Sequence, residues 1–236
     1  MKREFKKEKR KMNLEGKIIN FMGDSITEGV GVENCLECRY DNMMKESCGL
    51  KEVHNYGVSG TRLAHQKKPS DPPRFDLCFC GRAYDLCPDA DITVIYGGVN
   101  DYFHGDAPFG TMEDKTPATF CGGVEFLMTL LKELYPHTKI IFMTPARCHY
   151  ESGTDELPSD REEKCADAKP LKEYVKVISE KGLKHNIPVL NLYERLPINP
   201  NIPEHNSKYT IDGLHFNAEG HKAIAALLAD FIKNEV

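Results

Sequence analysis

The chain has 236 residues, 40% of them hydrophobic, enough for one catalytic-size domain with one core and no second domain. Its net charge of −5, from 31 Lys and Arg against 36 Asp and Glu, gives no reason to expect a polyanion partner. The basic opening run lacks the apolar stretch of a secretory signal, and no later segment reaches the length of a membrane span.

Residues 1–13 are therefore expected to form a frayed, solvated arm, with nucleic-acid or membrane attachment as its alternative, and residues 14–236 a single domain. With no export signal, the nine cysteines read as reduced thiols of a cytoplasmic protein. Cys35 and Cys38 have a ligand-like spacing, and Cys78, Cys80 and Cys87 are conceivable partners. Cys78 and Cys80 are separated by only one residue, however, which disfavours a structural zinc site.

In chain order, the short apolar runs Lys17–Met22, Glu52–Tyr56, Ile92–Tyr96, Lys139–Thr144 and Pro188–Leu192 predict strands buried on both faces. Helical spacing predicts helices over Phe120–Tyr135, Leu171–His185 and Ala218–Lys233, the last capped by Asn217. Five strands alternating with helices predict a three-layer α/β/α domain around a parallel sheet. Two irregular stretches, Ala64–Phe75 and His149–Asp160, are long enough to be functional loops or mobile insertions.

The first strand stops at Gly23-Asp24-Ser25, which delivers a hydroxyl at the carboxyl end of a buried strand. A serine nucleophile needs a base and oxyanion donors. His215 stands out among nine histidines because Asp212 lies three residues upstream, within Asp-Gly-Leu-His. Taken alone, that pair reads more readily as a turn residue and a cap before the last helix than as a catalytic pair. Two further glycine-containing turns, Asn55–Thr61 and Tyr96–Asp101, fall at the same sheet edge, where Asn100 offers an amide donor; singly, each also reads as an ordinary strand-to-helix turn.

Together four blocks in order, Gly-Asp-Ser at 23–25, Gly60 within Asn-x-Gly-x-Ser-Gly, Gly-x-Asn-Asp at 98–101 and Asp-x-x-His at 212–215, resemble the GDSL or SGNH hydrolase superfamily. The resemblance spans the chain from the first strand to the last helix. It implies a flavodoxin-like fold, Ser25 as nucleophile, His215 as base oriented by Asp212, and an oxyanion hole from Ser25, Gly60 and Asn100. The third block has Val99 where family members often carry a second Gly or a Thr, a conservative departure.

No G-x-S-x-G elbow surrounds Ser25, no phosphate loop is present, and Gly29-Val30-Gly31 lacks the third glycine of a dinucleotide fingerprint. Neither cofactor nor metal is expected. Candidate substrate-binding residues flank the catalytic loops: Asp24, Arg62, Tyr102, His104, Arg147, His149 and Tyr150. Polar aromatics and arginine suit a hydroxylated ligand. The expectation is a serine esterase removing short acyl groups, acetyl above all, from sugars or oligosaccharides, without nucleic-acid or membrane partners. An acyltransferase, a thioesterase or lysophospholipase, and a non-catalytic binding protein are the alternatives.

Overall fold

The computed structural model describes residues 11–149, 151 and 167–236. Residues 1–10 of the expected arm, Tyr150, and nearly all of the irregular stretch at His149–Asp160 lie outside the described residues. Met12, at the end of that arm, donates its N–H to Lys233 O at 2.9 Å and packs on the core, so the fold begins before Asn13.

The elements run β1 (Ile18–Gly23), α1 (Ser25–Glu28), α2 (Cys35–Cys38), α3 (Tyr40–Cys48), β2 (Glu52–Gly57), α4 (Phe79–Arg82), β3 (Ile92–Tyr96), α5 (Val99–His104), α6 (Phe120–Leu134), β4 (Lys139–Met143), α7 (Leu171–His185), β5 (Val189–Leu190), α8 (Leu192–Arg195), α9 (Pro203–Tyr209) and α10 (Ala218–Glu235). The strands form one five-stranded sheet in the order β2-β1-β3-β4-β5, and every pairing is parallel. The expected three-layer α/β fold is thus present. Each strand stands within a residue or two of its predicted position, and α7 occupies its predicted span.

Strand alternation sorts the core into two layers. Ile19, Phe21, Ile92, Val94, Tyr96, Ile141 and Met143 meet α1, α3, α8 and α10 on one face. Met22, Ile95, Ile140 and Phe142 meet α4, α5, α6 and α7 on the other. A strand buried on both faces must be apolar at nearly every position, which is why these segments read as continuous runs.

The chain leaves β1 toward β2 on one side and returns to β3 on the other, so the order reverses between β1 and β3, where an open parallel sheet has its crevice. In register, Gly23 sits opposite both Gly57 and Tyr96, and three loops therefore leave the sheet at one level. Two features hold the first two of them together. Gly57 approaches α1 so closely that a Cβ would collide with the backbone N of Glu28. Arg82 is 8% exposed and donates to Gly23 O at 3.1 Å, Tyr56 O at 2.5 Å, Thr61 Oγ1 at 2.9 Å and Leu77 O at 2.8 Å. Burial pushes this guanidinium down to about 10, opposed by the field of Asp24.

Among the described cysteines none is in a disulfide. Cys35 Sγ faces the Gly29 and Val32 carbonyls while Cys80 donates to Leu63 O, and no group of three or more metal-ligating side chains converges among the described residues. No helix among them is long and apolar enough to cross a membrane.

Arg82→Met strands four acceptors around an apolar side chain and is expected to destabilise the fold by about 3 kcal/mol or more. A calorimetric melting temperature lower by roughly 6–12 °C is the corresponding signal; an unchanged value contradicts the clamp. His221 on α10 is fully buried, accepts the Tyr40 N–H at Nδ1 (3.2 Å) and stacks on the Tyr40 ring. Burial lowers its pKa from 6.5 to about 4. Its contribution is complete above the unfolded value and is lost as pH falls from 6.5 toward 4, at most about 3 kcal/mol. Denaturation across that window should show the wild type losing more stability than His221→Gln, which keeps an acceptor but does not titrate; parallel curves would refute this.

Candidate active site

Ser25 opens α1 directly after Asp24, whose side chain caps the short helix by accepting the Ile26 N–H. The serine hydroxyl lies 2.9 Å from His215 Nε2. His215 belongs to a tight turn closed by the Thr210–Phe216 bridge, and its Nδ1 is 2.6 Å from Asp212 Oδ2. The other carboxylate oxygen accepts the backbone N–H groups of Leu214 (2.9 Å) and His215 (2.7 Å). Partial burial works against the Asp212 charge, but these hydrogen bonds outweigh it and bring the carboxyl down to about 2. An ionised Asp212 at Nδ1 fixes a proton there and leaves Nε2 to accept from Ser25. The geometry is that of an activated hydroxyl.

Opposite this pair lie the other two loops. Gly60 takes φ +75°, and a Cβ there would collide with the Phe75 ring, so only glycine lets the loop pass. Its position is set by Glu28, which accepts both the N–H (2.7 Å) and the hydroxyl of Ser59 and pairs with Arg74 at 2.6 Å. Asp101 is buried and accepts the Leu63 and Ala64 N–H groups at 2.9 Å each. Burial pushes it up to about 7 against those same bonds. Asn100 on α5 is 5% exposed and donates from Nδ2 to Thr61 O at 3.1 Å. Neither the Ser25 nor the Gly60 N–H has an acceptor among the described residues.

These groups border one cleft of about 630 Å³, whose lining includes Ser25, Gly60, Arg62, Asn100, His104 and His215. Of the candidates expected around it, several stand elsewhere. Asp24 is fully buried beneath the serine; burial pushes its carboxyl up to about 6, and Oδ2 has no partner among the described residues. Tyr102 does not reach the cleft: it is fully buried, edge-on to Phe103 and Tyr174. Arg147 lies over the Tyr193 ring and pairs with Glu151 at 2.9 Å, outside the cleft lining. His149 packs on Gly213, donates its N–H to Gly213 O at 3.0 Å and meets Asn201 at Nδ1, so it supports the His215 turn from behind. Tyr150 lies outside the described residues.

The sequence reading overlooked Val30, Gln66, Lys68, Ser70, Asp71, Phe75, Asp106 and Leu214, which also line the cleft. Five of the first six fall inside the irregular Ala64–Phe75 stretch beyond Gly60, and its length was the one signal available.

A family model for GDSL-like lipase/acylhydrolases matches residues 21–223. No curated protein sequence matches the chain. Among solved structures, a protein from Lactobacillus plantarum superposes with a TM-score of 0.77 at 25% identity, covering 94% of this chain and 99% of its own. A lipase/acylhydrolase from Enterococcus faecalis (TM-score 0.58, 24% identity, 92% and 95% covered) shares the fold, as does an acetyl xylan esterase (TM-score 0.59, 20% identity, 91% and 99% covered). Because the family model spans most of the sheet and all four sequence blocks, the chain belongs to the GDSL-like lipase/acylhydrolase family and is an ester-cleaving hydrolase.

Proposed function

We propose that the protein is a serine esterase that removes short acyl groups, acetyl above all, from sugars or oligosaccharides through an acyl-enzyme on Ser25. The observation that carries this reading is the Ser25–His215–Asp212 alignment, 2.9 Å and 2.6 Å, opening into the shared cleft. His215 Nε2 takes the Ser25 proton as Oγ attacks the ester carbonyl. The Ser25 and Gly60 N–H groups and the Asn100 amide hold the tetrahedral oxyanion. His215 then protonates the leaving alcohol, and water repeats the sequence on the acyl-enzyme. Asp212, held ionised, stabilises the imidazolium formed in both halves.

The sugar part of the reading rests on the cleft wall. Gln66, Lys68, Ser70 and Asp71 set polar groups beside the Phe75 and Phe103 rings, a mixture that suits a hydroxylated ring with one apolar face. A similar fold in an acetyl xylan esterase is consistent with that choice. The test is a panel of acetyl through octanoyl esters, thioesters and acetylated oligosaccharides, run beside Ser25→Ala. Preferred turnover of acetylated saccharides, with no more than trace activity in the variant, is expected. Long-chain thioesters turned over far faster would overturn the substrate, and full activity of Ser25→Ala would overturn the mechanism.

A further inference from the structure

His104 stands one helical turn beyond Asn100 on α5, and at that spacing two side chains share a face. Its Nε2 lies 3.0 Å from Asn100 Oδ1, and its Nδ1 lies 3.1 Å from Arg62 Nη1. A guanidinium carries only donors. The imidazole nitrogen facing it must therefore hold a lone pair, which puts the ring proton of neutral His104 on Nε2. That proton points at Asn100, so the atom receiving it must be the carbonyl oxygen of the amide.

The amide is thereby locked end for end. Turning it over would set NH2 against Nε2–H and the carbonyl against Thr61 O, two repulsions in place of two hydrogen bonds. In the locked orientation one N–H goes to Thr61 O, which leaves the second N–H of an amide that borders the same cleft as Ser25 without a use in this lock. Arg62 is itself immobilised: it is 3% exposed, and Nη2 donates to Asp76 Oδ1 (2.9 Å), Phe75 O (3.3 Å) and the Ser70 hydroxyl. These Nη donors are directed into the protein, not toward a ligand, while Nε is buried without a partner among the described residues.

We infer that His104 is a positioning residue, which, with its tautomer dictated by Arg62, orients the Asn100 amide as an oxyanion donor. The inference rests on the proposed role of Asn100 in the oxyanion hole. Asp76, Arg62, His104 and Asn100 then form one hydrogen-bonded line from the cleft wall to the reacting centre. Preorganisation of this kind matters because a donor that must rotate into place during the reaction loses much of its advantage.

The test is a double-mutant cycle with kcat and KM measured on an activated acetyl ester. Asn100→Ala is expected to lower kcat by about 10²–10³. His104→Ala is expected to lower kcat on the order of tenfold with KM nearly unchanged, and His104→Gln, which keeps a donor for Asn100 and an acceptor for Arg62, to recover part of that. The double variant should be no slower than Asn100→Ala, because His104 acts only through that amide. Losses that multiply, a His104→Ala effect confined to KM, or a wild-type kcat in His104→Ala with a large Asn100→Ala effect would each overturn the positioning role alone. A tenfold loss or less in Asn100→Ala would remove the oxyanion reading and the inference with it. Nitrogen-15 NMR of the wild-type imidazoles at neutral pH, assigned through His104→Gln, reads the ring directly. The Nε2–H tautomer is expected at His104, and the Nδ1–H form overturns the inference even if His104→Ala fails to fold.

Discussion

One buried guanidinium ties the ends of the first two strands to the loop that carries Gly60. Arg82 reaches the last carbonyl of β1, the Tyr56 carbonyl near the end of β2, and the Thr61 hydroxyl beyond Gly60. A parallel sheet brings those strand ends to one edge but leaves their loops free to diverge. The arginine removes that freedom on the side away from solvent, and a charge so placed is tolerable because carbonyl oxygens and the field of Asp24 surround it. Ser25 stands two residues after one of its anchors, Gly23, and Asn100 donates to the backbone of another, Thr61.

The same device recurs with opposite sign around the cleft. Carboxylates hold the loops by accepting their backbone N–H groups: Glu28 at Ser59, Asp101 at Leu63 and Ala64, Asp106 at Lys67 and Lys68, Asp212 at Leu214 and His215. Loops lack the ladder bonds of a strand, and an unpaired N–H near the core is costly. A carboxylate with two acceptor oxygens fixes two such groups at once. The site is thus a set of irregular segments tied down individually, and its rigidity comes from these ties more than from the sheet.

The fold was legible because the central strands are buried on both faces, which writes them as apolar runs, and because α7 carries a full amphipathic period; edge strand β2, expected to be buried on both faces, is instead half-buried or exposed along its length, since nothing pairs with its outer side. The fifth strand came out shorter than read because Asn191 turns to cap α8 by accepting the Glu194 N–H, a local competition that hydrophobicity does not record. The six-residue α5 gave no periodicity to detect, and its geometry explains the misplacement of Tyr102. Asn100 and His104 share a face, while Tyr102, two residues from each, is turned by about 200° toward the core. The Asp212–His215 pairing was visible because it is local. Arg82 and the Arg147–Tyr193 and Arg62–His104 contacts were not, since each joins partners far apart in sequence.

The central claim is that Ser25, activated by His215, forms the covalent intermediate. The most direct measurement is labelling with an activated organophosphonate ester, followed by intact mass and peptide mapping. The account predicts one phosphonyl group per chain, on Ser25, with loss of esterase activity in step with labelling and no label on Ser25→Ala. Full inactivation with Ser25 unmodified, or undiminished esterase activity with Ser25 fully labelled, would contradict it.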